Sequence, residues 1–235
     1  MAWDAFGITQ RGSGRANNED AILYPAEVAQ ASSGQRLLLA VADGVGGVHG
    51  GEAASAAAVA ALRDGFADAA ARDPSEALRL LFDGANRRVL ALRPPASEQG
   101  PATTLVAALT DEDTLWIGSI GDSRAYVARN GGVTQVTADH VCQPDATAAA
   151  GTPVRFLTRA LGLEGELRMD VFGPIRRADV DGVLLCSDGL YGVLDEPALG
   201  AHLRGADLAV AAQRIVALAV QAGSVDDISI VLMAG

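Results

Sequence analysis

At 235 residues, with 49% hydrophobic but only 4% aromatic side chains, the chain has the length of one domain, 1–235, whose core is built from Ala, Val, Leu and Ile. Its 29 acidic against 18 basic residues give a formal charge of −11, which opposes binding to nucleic-acid phosphates or anionic lipid. The two cysteines, Cys142 and Cys186, have neither CxxC spacing nor the density of a disulfide scaffold; no run reaches the roughly 18 apolar residues of a membrane span, and the start lacks the basic and apolar regions of a secretion signal.

From these features the protein is expected to be cytoplasmic and to bind no nucleic acid and no membrane. Along the chain, Arg15-Ala16-Asn17-Asn18-Glu19-Asp20 places a guanidinium just ahead of an acidic pair, so one loop and strand can deliver both a phosphate fork and a metal-facing carboxylate. A strand-length apolar run at 37–42 ends at Asp43, and Gly44-Val45-Gly46-Gly47 follows. Helical periodicity is predicted over 52–71 and 75–92. Asp73-Pro74-Ser75-Glu76 opens the second of these with a capping acid, a first-turn proline and a glutamate at the positive helix end.

After a Pro- and Gly-containing loop at 94–101, three apolar runs at 104–109, 115–120 and 125–128 are separated by Asp111-Glu112-Asp113 and Gly121-Asp122-Ser123. Such short polar breaks predict antiparallel hairpins. Residues 141–153 lack hydrophobic periodicity and are expected to be irregular. A strand at 183–186 leads into Ser187-Asp188-Gly189, a helix over 208–222 follows Asp207 and stops at Gly223, and a last strand at 228–233 follows Asp226-Asp227.

An aspartate at a strand end is, taken singly, a turn-former. Here the arrangement recurs at Asp43, Asp122, Asp188 and Asp226. Were those ends to converge, the carboxylates would repel one another and protonate unless cations neutralised them. Oxygen-only donors suit Mg²⁺ or Mn²⁺, and the lack of a Cys/His cluster disfavours zinc. Glycine beside Asp43 and Asp188 lets backbone and water approach closely. Other chemistries fit less well. Gly44-x-Gly46 lacks the third glycine of a dinucleotide loop, Ile117 and Leu185 stand where a GxSxG serine elbow needs glycine, and Leu115-Trp116 breaks the calcium-loop beginning at Asp111.

Six segments, Arg15-x-x-Asn18-Glu19-Asp20, Asp43-Gly44-x-Gly46-Gly47, Gly51-Glu52-x-Ala54-Ser55, Gly121-Asp122-Ser123-Arg124, Ser187-Asp188-Gly189-Leu190 and Asp226-Asp227-Ile228-Ser229, occur in one order across nearly the whole chain. In that order they resemble the type 2C metal-dependent protein phosphatases, as do Ala102-Thr103-Thr104, Thr137-Ala138-Asp139-His140 and Leu157-Thr158-Arg159-Ala160-Leu161-Gly162. The resemblance implies an α+β fold: a four-layer α-β-β-α sandwich of two mainly antiparallel sheets flanked by helices. It implies hydrolysis of phosphoserine and phosphothreonine by a water activated between two cations, Mn²⁺ or Mg²⁺.

By that likeness Asp43 bridges both metals, Asp188 and Asp226 complete the first, and Glu19 with the Gly44 carbonyl faces the second. Asp20 holds metal-bound water, Arg15 binds the substrate phosphate, and Asp122 with Asp188 forms a weaker third site. The partners implied are phosphorylated proteins and a Ser/Thr kinase whose work the enzyme opposes, with the enzyme itself expected to be a monomer. Departures from the pattern are Val45, where some relatives carry a histidine proposed as general acid, Val48, with His49 one position beyond the usual histidine, Gly192 in place of a further third-metal aspartate, and Asp227 in place of asparagine. The 140–159 segment is also shorter than the substrate-adjacent flap of many bacterial relatives. The remaining histidine, His202, is expected on a helix surface. A partner-binding protein of the same fold without catalysis is the competing possibility, and its mark, loss of an acidic ligand, is missing.

Overall fold

A computed structural model of the protein describes residues 3–24, 36–45, 50–95, 100–142, 156–201 and 207–235. Two antiparallel sheets carry the fold. The first has the order β1-β13-β12-β7-β8, from β1 (Asp4–Gln10), β13 (Ile228–Ala234), β12 (Gly182–Cys186), β7 (Arg124–Arg129) and β8 (Gly132–Gln135). The second has the order β11-β6-β5-β3-β2, from β11 (Asp170–Arg176), β6 (Thr114–Ile120), β5 (Leu105–Thr110), β3 (Leu37–Val45) and β2 (Asp20–Leu23), with the short β4 (Ala102–Thr103) also on β3. The two-residue strands β9 (Val141–Cys142) and β10 (Phe156–Leu157) pair separately. The helices are α1 (Gly51–Ala69), α2 (Pro74–Leu90), α3 (Asp188–Tyr191), α4 (Glu196–Gly200) and α5 (Leu208–Gln221).

The four-layer expectation holds because each central strand is apolar on both faces and divides its side chains between two cores. From β3, Leu38, Ala40 and Ala42 join α1 and α2 in one cluster, whereas Leu39 and Val41 face the other sheet. From β12, Leu184 and Cys186 pack with α5, whereas Val183 and Leu185 meet Leu39, Val106 and Ile117 between the sheets. A one-residue slip of either strand would exchange these faces, and since both are buried the register is held by packing as well as by hydrogen bonds. Burying each Leu or Val stabilises by about 1.5–3 kcal/mol.

Local chemistry sets the helices. In α1 the buried positions Ala54, Ala58, Leu62, Phe66 and Ala69 recur at helical spacing, and the small residues at its start let that end lie close to the sheet. Asp73 caps α2 by accepting from the Ser75 N–H, and Asp207 caps α5 by accepting from those of Ala209 and Val210. The periodicity that predicted 52–71, 75–92 and 208–222 thus matches the helices to within two residues at every end. Strands β1, β2, β8 and β11, the pair β9/β10 and the short helices α3 and α4 were absent from that reading. Residues 141–142 form strand rather than irregular chain; residues 143–155, His49 and His202 lie outside the described residues.

Candidate metal-dependent active site

The site grows from one edge of the sandwich. Pairing of β2 with β3 sets Asp20 opposite Asp43, and the Gly44 N–H donates to the Glu19 carbonyl at 3.0 Å. Asp43 is pinned through its backbone: its N–H donates to Thr104 Oγ1 at 3.0 Å, and its carbonyl accepts from Thr103 Oγ1 and from the Thr104 N–H, both at 2.9 Å. From the second sheet, β12 delivers Asp188 at the first residue of α3, while Asp226 and Asp227 lead into β13. Asp122 occupies the tight turn between β6 and β7, where Gly121 adopts φ +97°. Thr104 Oγ1 and Ser123 Oγ lie 2.7 Å apart and tie this turn to the Asp43 backbone.

Close backbone approach accounts for the neighbouring glycines. A β-carbon at Gly44 would fall 2.2 Å from the Gly51 carbonyl oxygen at the start of α1, and one at Gly189 would fall 2.0 Å from that of Asp227. Only glycine fits between these chains.

Arg15 grips Asp226 with both arms of its guanidinium, Nε to Oδ1 at 2.5 Å and Nη2 to Oδ2 at 2.6 Å, and stands 3.8 Å from Glu19. The hydrogen bond to Asp226 raises the arginine's pKa further, so it stays cationic. Arg11 donates to the Arg15 carbonyl at 2.5 Å and holds the loop from within. Asp227 is 3% exposed, and its two oxygens accept the N–H groups of Gly12 and Glu19, each at 2.8 Å. Asp20 is also buried and accepts from Ser187 Oγ at 2.7 Å, while that hydroxyl in turn accepts the Ser229 N–H at 3.0 Å.

Electrostatics mark the cluster. Burial pushes the Asp43 carboxyl well above the ordinary carboxylate range, and the charges of Asp20, Asp188, Asp122 and Asp226 push it further. Asp188 is raised to about 6, by burial and then by Asp226 and Asp122. Asp20 is raised to about 7, chiefly by burial, against the hydrogen bond from Ser187. Glu19 is raised by burial more than Arg15 lowers it.

Acids so placed either bind protons or share a cation, and an all-oxygen donor set suits Mg²⁺ or Mn²⁺. That chemistry fits the expected metals. Among the described residues, no three Asp, Glu, His or Cys side chains are already gathered at the spacing that encloses an ion. The fit therefore rests on donor type, burial and mutual charge. Glu19, Asp20, Asp43, Asp188 and Asp226 with Arg15 meet at one edge, with Asp122 as a further charge acting on Asp43 and Asp188.

Several supporting side chains carried no role in the sequence. Tyr191, three residues after Asp188, has a buried hydroxyl that finds no hydrogen-bond partner among the described residues, and its ring lies 3.6 Å beneath the Arg124 guanidinium. Arg124 is itself held by both oxygens of Asp139, at 2.9 and 2.7 Å. Val45, one of the departures from the family pattern, is 38% exposed at the end of β3. Gly192 caps α3, where a β-carbon would fall 2.9 Å from the Asp188 carbonyl oxygen.

A two-sheet sandwich that gathers buried carboxylates and one arginine at its edge defines a phosphoester hydrolase of the metal-dependent kind. The chain belongs to the protein phosphatase 2C family, whose family model matches residues 9–218, and is thus a metal-dependent phosphoprotein phosphatase. It is 30% identical over 242 residues to the serine/threonine phosphatase stp of Listeria welshimeri, covering 96% of this chain and 93% of that protein. It is 31% identical to the serine/threonine protein phosphatase PstP of Mycobacterium tuberculosis over 95% of this chain, which spans only 43% of that protein's length. The crystal structure of the M. tuberculosis serine/threonine phosphatase PstP/Ppp superposes with a TM-score of 0.81 at 30% identity, covering 100% of this chain and 99% of that one.

Proposed function

We propose that residues 1–235 form a single catalytic domain that removes phosphate from phosphoserine and phosphothreonine of proteins, working as a cytoplasmic monomer opposite a bacterial Ser/Thr kinase. The names of the relatives support the substrate class, and no helix among the described residues is long and apolar enough to cross a membrane. Two divalent cations, Mn²⁺ or Mg²⁺, are assigned to Asp43, Asp188 and Asp226 and to Asp43, Glu19 and the Gly44 carbonyl. A weaker third is assigned to Asp122 with Asp188. When bound, such a pair supplies a nucleophilic water at neutral pH and neutralises phosphoryl oxygens.

The observation that carries this assignment is the convergence of Asp43, Asp20 and Asp188 at one sheet edge, where burial raises all three carboxyls and the charges of Asp20 and Asp188 raise Asp43 further, a charge problem that divalent cations resolve. Within it each residue has a task. Asp43, fixed through its backbone by Thr103 and Thr104, would be a ligand to both cations. Asp20, oriented by Ser187, accepts hydrogen bonds from water at the centre. Arg15 is positioned by Asp226 and Arg11, and its remaining donor surface orients the substrate phosphoryl group and stabilises its charge.

Phosphate release from a phosphothreonine peptide should require Mn²⁺ or Mg²⁺ and vanish with chelator. Asp43→Asn should lose at least about 10³-fold in kcat while keeping the wild-type circular dichroism spectrum. Near-normal turnover by that variant would remove Asp43 from the mechanism. Robust hydrolysis of small phosphoesters with none of the peptide would move the substrate class to small molecules.

A further inference from the structure

We infer that His140 is a positioning residue that sets Asp122 through a hydrogen-bonded chain running from Gly121 to Arg159. His140 is 6% exposed and grips Gly121 twice: its backbone N–H donates to the Gly121 carbonyl at 2.9 Å, and its ring Nδ1 accepts the Gly121 N–H at 3.1 Å. Gly121 is the residue before Asp122 and sits at φ +97°, so its two backbone groups decide where the next side chain is aimed.

A ring nitrogen that accepts a backbone N–H carries no proton of its own, which places the ring proton on Nε2. Nε2 lies 2.9 Å from Asp170 Oδ2 and donates to it, and the other oxygen, Oδ1, accepts from Arg159 Nη1 at 3.1 Å. That same Arg159 nitrogen stands 3.3 Å from Nε2, where two donors meet, so its bond is the one to Asp170. The Thr158 N–H donates to the His140 carbonyl at 2.8 Å, and strands β9 and β10 leave from either side of this knot.

Four parts of the chain are therefore joined at one residue: the β6–β7 turn, the entrance to β9, the exit from β10 and the start of β11. A carboxylate offset by a fraction of an ångström binds a cation more weakly, and partners outside the ligand shell set that offset. The inference rests on the assignment of Asp122 to the weaker cation.

Two measurements on the full chain test it. Nitrogen-15 NMR of the imidazoles should show one histidine with bare Nδ1 and protonated Nε2, whose signals disappear in His140→Gln; the opposite tautomer would overturn the chain of bonds. Calorimetric Mn²⁺ titration should then resolve a weaker binding step that Asp122→Ala lacks. His140→Asn retains an acceptor near Nδ1 and should keep that step within about threefold, whereas His140→Gln loses it and should weaken the step by about tenfold or more, the tighter steps being unchanged in both. A wild-type weaker step in His140→Gln overturns the proposal. So does weakening of every step alike in both variants, in proportion to lost thermal stability, which marks a purely structural role. Should Asp122→Ala itself keep the weaker step, Asp122 is no cation ligand and the proposal falls with it, while the tautomer signature stands or fails on its own.

Discussion

Asp227 shows how a single carboxylate can serve the site without touching substrate. Each of its oxygens accepts one backbone N–H, from Gly12 and from Glu19, so it spans the loop that presents Arg15 and fixes both ends of it. A buried donor left without a partner costs about 1–3 kcal/mol. Asp227→Ala orphans two of them and should lower stability by about 2–6 kcal/mol in urea denaturation. Asp227→Asn keeps one acceptor and turns an NH2 toward the other N–H, so it should cost less than the alanine while still raising KM, because the loop that carries Arg15 is loosened. Equal stability of Asp227→Ala and wild type would show that the loop holds itself. The residue-scale chemistry also explains why Arg15 and Asp226 must be considered together: the proposed phosphate fork and a proposed metal ligand are each other's partners through two bonds.

At the scale of elements, the acids are delivered by junctions in which two backbones nearly touch. The Asp188-Gly189 step at the start of α3 lies against Asp227, and a β-carbon at Gly189 would overlap that carbonyl oxygen at 2.0 Å. Backbone is the obstacle here, so no side-chain rotation relieves it. Gly189→Ala should push α3 and the β13 entrance apart, costing about 1–3 kcal/mol by overpacking and removing most metal-dependent phosphate release; wild-type kcat in that variant would show that the Asp188–Asp226 spacing is slack. Much of this was readable from sequence, since Asp43, Asp122, Asp188 and Asp226 all follow or precede apolar runs and glycine stands beside three of them. Strands β1 and β11 were hidden for a physical reason: both are edge strands with partly exposed faces, Asp4–Gln10 and Asp170–Arg176, and lack the continuous apolar run of a strand buried on both sides. The roles of Ser187, Arg124 and His140 were equally hidden, because a hydrogen bond between segments distant in sequence leaves no periodic signal in the chain.

For the whole molecule, the sandwich gathers charges at its edge that its own core cannot accommodate. The sign of the pH dependence follows from the direction of the shifts. Asp20 is raised from 3.8 to about 7 and Asp188 from 3.8 to about 6, so the folded protein without metal binds more protons than the unfolded chain between those limits. Their contribution to stability is therefore fully present below about pH 4 and is lost as pH rises through about 6 and 7. In chelator, the thermal midpoint of the wild type should fall as pH is raised from 5 to 8, and the fall should be shallower in Asp20→Asn, which cannot ionise there. Saturating Mn²⁺ should flatten or reverse it, because a cation replaces the protons and stabilises only the folded state. A chelated wild type whose midpoint does not change between pH 5 and 8 would mean that these carboxyls ionise freely in the fold, and the charge problem that points to divalent cations would no longer exist.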